Sequence, residues 1–103
     1  MSTFRICFVL IPVSIFLLTS GNAFAADIEA GRVASTQCAM CHGADGRGNG
    51  VPGSSIAGMD AKEFKKHLME FKSGTRRNYM MEMFVNRLSA QDFDDLAAFY
   101  ATQ

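Results

Sequence analysis

The sequence has few of the side chains that usually build a metal site or an active centre. It contains three cysteines and two histidines in 103 residues, and its ten basic side chains balance its ten acidic ones. Cys7 and His67 stand alone, so the second pair of ligands that a zinc ribbon needs is missing. The balanced charge gives no indication of nucleic-acid binding. No general base or nucleophile occurs in a pattern typical of an enzyme, and we expect no catalysis by this chain alone.

Strand patterns are also missing. No segment alternates polar and apolar residues with a period of two, and no internal repeat is present. A thioredoxin-like dithiol is therefore not favoured, because that site needs a strand before its cysteines. The sequence predicts an all-α fold.

The first 25 residues have the pattern of a secretory signal peptide. A short basic start precedes an apolar stretch at residues 6–18, and residues 23–25 (Ala-Phe-Ala) resemble a cleavage site. The apolar stretch is short for a membrane span, so an uncleaved anchor is the less favoured alternative. We expect cleavage after residue 25, export to the periplasm, and a single domain at residues 26–103.

The most informative pattern is Cys-Ala-Met-Cys-His at residues 38–42. C-x-x-C-H is the attachment motif of a c-type haem. Cys38 and Cys41 can form thioether bonds to the porphyrin, since their spacing brings both thiols within one turn of backbone. His42 can then present its imidazole to the iron as an axial ligand. The motif predicts one covalent haem c, whose apolar surface would help to stabilise a small domain.

Three segments have the apolar spacing and the terminal residues of helices. The first, residues 27–37, has an expected apolar side of Ile28, Val33 and Ala34, and Gly31 would allow a close helix crossing. Residues 43–58 contain six glycines and predict a loop.

The other two predicted helices begin at capping residues. Asp60 precedes a segment that ends near Gly74, and Ser89 precedes a segment that runs to the C terminus. Their apolar positions recur at helical spacing and are Phe64, Leu68 and Phe71 in the former, and Phe93, Leu96, Ala97 and Tyr100 in the latter.

A first helix leading into C-x-x-C-H, a glycine-rich loop, a middle helix, a methionine-bearing segment and an amphipathic last helix follow one another in residues 26–103. In this order the chain resembles class I c-type cytochromes. The resemblance implies a fold in which the first and last helices cross and a covalently bound haem lies among the helices. It also implies electron transfer as the function.

A thioether opposite the histidine is a common second axial ligand in such carriers. Residues 79–83 offer Met80, Met81 and Met83. In related class I cytochromes the ligand lies eight residues before the serine that caps the last helix. This resemblance implies Met81, with Met80 and Met83 as alternatives. His67 is a further alternative, although its place among apolar helix positions favours packing.

Short segments also resemble the small cytochrome subunit of flavocytochrome c sulfide dehydrogenase. They are residues 55–60, 71–74, 88–89 and 96–100. This resemblance implies a flavoprotein sulfide dehydrogenase subunit as the electron donor. That family usually has a proline where this chain has Ser54, and the carbonyl at that position binds the ring N–H of the axial histidine.

The sequence is compatible with two other functions. The chain could be a free soluble carrier that passes electrons to an oxidase or reductase. It could instead be a haem-based gas-binding module, if the sixth iron position is open.

Overall fold

The computed structural model describes residues 24–103, which consist of helices and connecting loops without a strand. The predicted all-α fold is confirmed. Almost all of the predicted signal peptide, including Cys7, lies outside the described residues. Within residues 24–103 no helix is long and apolar enough to cross a bilayer. The helices are α1 (Ile28–Ala34), a 3₁₀ turn (Ser35–Gln37), α2 (Ala39–His42), α3 (Ala61–Ser73), α4 (Tyr79–Val85) and α5 (Ala90–Ala101).

The first and last helices cross at Gly31, as expected. A Cβ atom added there would lie 2.0 Å from the carbonyl oxygen of Asp95 and 2.9 Å from Cβ of Phe99. The buried Asp95 carboxylate also accepts hydrogen bonds from the backbone N–H of Asp27 and from the side chain of Gln91, both at 2.8 Å. Glycine therefore lets α1 approach α5 directly, and Asp95 fastens the start of α1 to α5.

The expected apolar side of α1 is wrong for two of its three members. Ile28 is 50% exposed and Val33 is 58% exposed, whereas Ala34 packs against the core. The contact at Gly31 sets the orientation of the helix about its axis, and this orientation turns the two larger side chains away from α5.

The starts and ends of α3 and α5 follow the predicted capping residues. The Asp60 carboxylate accepts hydrogen bonds from the first-turn amides of α3, and Gly74 ends the helix with a φ of 78°. Ser89 and Asp92 form a reciprocal capping box at the start of α5. The core of the described residues is formed by α3, α4 and α5 and consists of Phe64, Leu68, Val85, Phe93, Leu96, Ala97, Phe99 and Tyr100.

Helix α4 contains the methionine-bearing segment, for which no helix was predicted. Asn78 caps it, since its side-chain oxygen accepts a hydrogen bond from the Met81 amide at 3.1 Å. The Glu82 carboxylate accepts one from the Asn78 amide, also at 3.1 Å. Val85 at the end of the helix is 1% exposed. An asparagine with a glutamate four residues later was the available sequence signal for this helix start.

Candidate functional site

A cavity of about 670 Å³ lies among α2, the glycine-rich loop, α3, α4 and α5. This volume is within the range of small-molecule and cofactor sites. The cavity is lined mainly by apolar side chains, and five of the lining residues belong to the buried core: Phe64, Leu68, Val85, Leu96 and Tyr100. A ligand with a large apolar surface fits these walls.

All three side chains of the C-x-x-C-H motif line one side of this cavity. Cys38 is partly buried, Cys41 is exposed, and His42 is partly buried. The backbone N–H of His42 donates to the Cys38 carbonyl at 3.0 Å, so the motif forms the helical turn α2. The turn places the two thiols and the imidazole on the same cavity, as covalent attachment of a porphyrin requires.

The His42 imidazole is oriented by the loop that follows it. Its Nδ1 lies 2.6 Å from the carbonyl oxygen of Ser54. A carbonyl can only accept a hydrogen bond, so Nδ1 carries the proton and donates it. The Nε2 atom then keeps its lone pair and is the nitrogen available to a metal.

Hydrogen bonds within the glycine-rich loop hold the Ser54 carbonyl in place. The Ser54 hydroxyl donates to the Val51 carbonyl and accepts from the Asn49 amide. Gly46 brings the loop against α5, because a Cβ atom there would lie 2.7 Å from the Tyr100 ring. Ser54 thus orients the His42 ring at the position where the family that the chain resembles usually has proline.

Two of the three candidate methionines reach the cavity. Met80 and Met81 on α4 line it, whereas Met83 does not. Met81 is partly buried and packs against the core, and Met80 is 50% exposed. Met59, which precedes α3, also lines the cavity.

His67 lines the cavity from α3 but has carboxylate partners for both ring nitrogens. Its Nδ1 lies 3.1 Å from Glu70 Oε2, and its Nε2 lies 3.6 Å from Glu63 Oε1. The hydrogen bond from His67, followed by the charges of Lys66, His67 and Arg76, lowers the pKa of Glu70. The His67 side chain is 29% exposed, so it is partly packed into the structure, the arrangement that its place among apolar helix positions favours.

Tyr100 forms a buried part of the cavity beside Cys38. Its hydroxyl lies near the Cys38 thiol and Ser35 but makes no hydrogen bond of good geometry. Burial, and then the neighbouring Cys38, raise the pKa of this hydroxyl, and burial also raises the pKa of the Cys38 thiol.

The donor set favours a porphyrin over a directly bound metal ion. Residues 24–103 include no group of three or more histidine, cysteine or acidic side chains that could hold a metal ion. Two thiols beside one oriented imidazole, in an apolar cavity with thioethers on another wall, fit a haem that is attached through its vinyl groups.

The residues that form the helices and the cavity are also similar in sequence to known proteins. A family model described as cytochrome c matches residues 28–103. Cytochrome c4 of Pseudomonas aeruginosa is 34% identical over 95 residues, which are 91% of this chain and 47% of that protein. Cytochrome c-553 of Helicobacter pylori is 34% identical over 88 residues, which are 84% of this chain and 88% of that protein.

A third relative is a thiosulfate dehydrogenase electron acceptor from Stutzerimonas stutzeri. It is 41% identical over 66 residues, which are 63% of this chain and 31% of that protein. The chain therefore spans about half of the cytochrome c4 and about a third of this electron acceptor.

Proposed function

The chain belongs to the cytochrome c family, and from this we propose that it carries single electrons on one haem c held by Cys38, Cys41 and His42. The observation that carries the proposal is the 2.6 Å contact from His42 Nδ1 to the Ser54 carbonyl, beside two thiols on the same apolar cavity. When bound, a haem supplies an iron that alternates between the ferric and ferrous states.

Each residue of the motif has a distinct task in this proposal. The Cys38 and Cys41 thiols each add across a vinyl group, so that both become thioethers and no oxidant is consumed. His42 binds the iron through Nε2, and the Ser54 carbonyl keeps its ring in one orientation.

Met81 is the proposed second axial ligand. It lines the cavity and is partly buried against the core, which limits its motion more than that of the half-exposed Met80. A thioether ligand favours ferrous iron and raises the reduction potential. Two fixed ligands also keep the coordination unchanged during electron transfer, which favours a carrier over the gas-binding alternative.

The test is to produce the full chain in a bacterial host that attaches haem c. We expect a gain of one haem in mass that survives denaturation, and a c-type absorption spectrum that changes reversibly on reduction. A protein with zinc, or with haem that denaturation removes, would contradict the proposal. Met40→Ala serves as a control inside the motif. Because Met40 is 88% exposed, this variant should gain the same haem mass as the unmodified protein.

We also propose that residues 1–25 direct export to the periplasm. Two observations support this proposal. These residues have the pattern of a signal peptide, and free thiols tend to oxidise after export, whereas thiols bonded to haem are protected. N-terminal sequencing of the exported protein should begin at Ala26. A mature protein that retains the apolar stretch at residues 6–18 would contradict cleavage.

The proposed electron donor is an enzyme that oxidises an inorganic sulfur compound. The short resemblances at residues 55–60 and 71–74 favour a flavoprotein sulfide dehydrogenase, and the relative named as a thiosulfate dehydrogenase electron acceptor favours thiosulfate oxidation. Other redox proteins, including an oxidase or reductase that accepts electrons from a free carrier, are the alternatives.

Stopped-flow reduction of the oxidised protein by each purified dehydrogenase with its substrate separates these donors. Sulfide-dependent reduction and co-purification with a flavin subunit would support the first donor. Faster reduction by the thiosulfate enzyme would replace it with the second. Reduction by neither enzyme would contradict a sulfur-oxidising donor, and omission of each dehydrogenase controls for direct reduction by sulfide.

A further inference from the structure

Among the described residues, two consecutive arginines are the permanently charged side chains on the cavity wall. Arg76 and Arg77 follow α3 and line the cavity, and no aspartate, glutamate or lysine among the described residues does so. Because no carboxylate of the described residues lines this mainly apolar cavity beside them, the two guanidinium groups are suited to an anionic part of the ligand.

The two arginines differ in how they are held. The Arg76 guanidinium lies 5.1 Å from the centre of the Phe71 ring, and its Nη1 lies 4.0 Å from Glu70 Oε2. The Arg76 backbone N–H also donates to the Glu70 carbonyl at 3.0 Å. Phe71 itself lines the cavity, so Arg76 is oriented by a residue of that wall.

Arg77 is more exposed to solvent than Arg76 and has fewer side-chain contacts. Its side chain is 78% exposed, compared with 50% for Arg76. Its one ion pair among the described residues is with Glu82 on α4, at 3.3 Å from Nε. A solvent-exposed arginine with few contacts loses more side-chain entropy when it binds an anion than one that is already oriented.

Haem has an apolar plate with two carboxylates at one edge, and a carboxylate placed against an apolar wall needs water or a cation. Resting on the proposed haem binding, we propose that Arg76, positioned by Glu70 and Phe71, binds one of these carboxylates. The planar fork of arginine matches a carboxylate with paired hydrogen bonds. Arg77 then acts as a surface charge without this direct contact.

The contact has a consequence for the reduction potential. A carboxylate paired with Arg76 stays ionised in both oxidation states, so it adds no pH dependence. Without Arg76 the carboxylate takes up protons more readily, most readily in the ferrous state, which has one less positive charge. The reduction potential of the haem then falls as pH rises, because reduction is accompanied by proton uptake. The fall is at most tenfold in the reduction equilibrium per pH unit, or about 59 mV for one electron.

The experiment measures reduction potential against pH, from about 4 to about 7, in the haem-loaded full chain and its variants. Arg76→Gln should show a new pH-dependent segment, together with a redox-linked infrared band of a protonated carboxylic acid. Arg77→Gln removes the same charge one residue away and should keep the pH profile of the unmodified protein. Lys66, His67 and Glu82 also face this region and are present in every variant. Arg76→Gln removes a charge that lowers the pKa of Glu70, so the new segment should persist in the double variant Arg76→Gln/Glu70→Gln, in which no Glu70 carboxyl remains to titrate.

The outcomes separate the two proposals. A missing haem spectrum in the unmodified protein would contradict haem binding itself. An unchanged profile in haem-loaded Arg76→Gln, or the new segment in Arg77→Gln instead, would overturn the role of Arg76. If Arg76→Gln does not accumulate, Arg76→Lys keeps the charge but lacks the fork and should show the same segment at smaller amplitude. A profile of Arg76→Lys identical to that of the unmodified protein would then overturn the role of Arg76.

Discussion

At the scale of single residues, the site depends on one backbone carbonyl. The Ser54 carbonyl accepts a hydrogen bond from His42 Nδ1–H and thereby leaves the lone pair of Nε2 available to a metal. Because a backbone atom makes this contact, a residue other than proline can serve at the position, provided that the loop holds its shape. The Ser54 hydroxyl contributes to that shape through its bonds to Val51 and Asn49.

The choice among the methionines is also decided at this scale. We expect Met81→Ala to abolish the weak long-wavelength absorption band of methionine-ligated ferric haem and to lower the reduction potential, because the thioether is lost. Ferrous Met81→Ala should also bind carbon monoxide rapidly at the vacated position. Absorption spectra and carbon monoxide titration measure these changes.

Met80→Ala and Met83→Ala are the matched controls and should keep the band. Loss of the band in Met80→Ala with its survival in Met81→Ala would assign the ligand to Met80. Loss in Met83→Ala alone would require α4 to rearrange when haem binds, since Met83 does not line the cavity.

At the scale of helices, short-range capping and one close crossing position the cavity walls. The box formed by Ser89 and Asp92 starts α5, which carries the buried Leu96 and Tyr100 to the cavity. Gly31 lets α1 pack on α5 at Asp95 and Phe99, which neighbour Leu96 and Tyr100 along the chain. The C-x-x-C-H turn follows α1 with only the 3₁₀ turn between them, so this crossing also sets where the motif lies.

The crossing predicts a large cost for Gly31→Ala. The added methyl group would overlap the backbone of Asp95, which cannot move as a side chain can, so we expect a loss of at least about 1–3 kcal/mol in the free energy of unfolding. Chemical denaturation of the haem-loaded protein measures the loss. Val33→Ala on the same helix removes an exposed side chain and should change stability by less than about 0.5 kcal/mol. Equal stability of the two variants would contradict the close crossing.

The capping box predicts a smaller effect. Ser89→Ala removes the acceptor for the Asp92 amide and should cost about 1 kcal/mol in unfolding free energy. Ser89→Asp keeps an acceptor at the same place and should lie closer to the unmodified protein. A cost as large in Ser89→Asp as in Ser89→Ala would show that the cap is not the cause.

At the scale of the whole molecule, the cavity takes up part of the interior, which in most domains is filled by side chains. Its walls include core residues of α3, α4 and α5, so it is continuous with the hydrophobic core. A small domain buries a limited apolar area and is only marginally stable by itself. The haem would supply the missing apolar contacts.

We therefore expect the double variant Cys38→Ala/Cys41→Ala, which cannot attach haem, to lose most of its helix content and its cooperative unfolding transition. Far-ultraviolet circular dichroism during thermal unfolding measures both properties. Met40→Ala in the same motif should behave as the unmodified protein does. A cooperative transition at full helix content in the double variant would show that the polypeptide core alone is sufficient.

The sequence by itself determined the features that depend on neighbouring residues. These are the attachment motif, the capped starts of α3 and α5, and the buried stripe that includes Phe93 and Leu96. Capping bonds span two to four residues and helical stripes repeat every three or four, so both are readable within a short window.

Tertiary structure decided what depends on contacts between distant residues. Ile28 and Val33 are exposed because Gly31 meets Asp95, far along the chain, and this contact outweighs the local apolar pattern. Met80 and Met81 reach the cavity and Met83 does not, because α4 packs on α3 in one orientation. Helical spacing shows which side chains share a face, but only packing against other elements decides which way that face points.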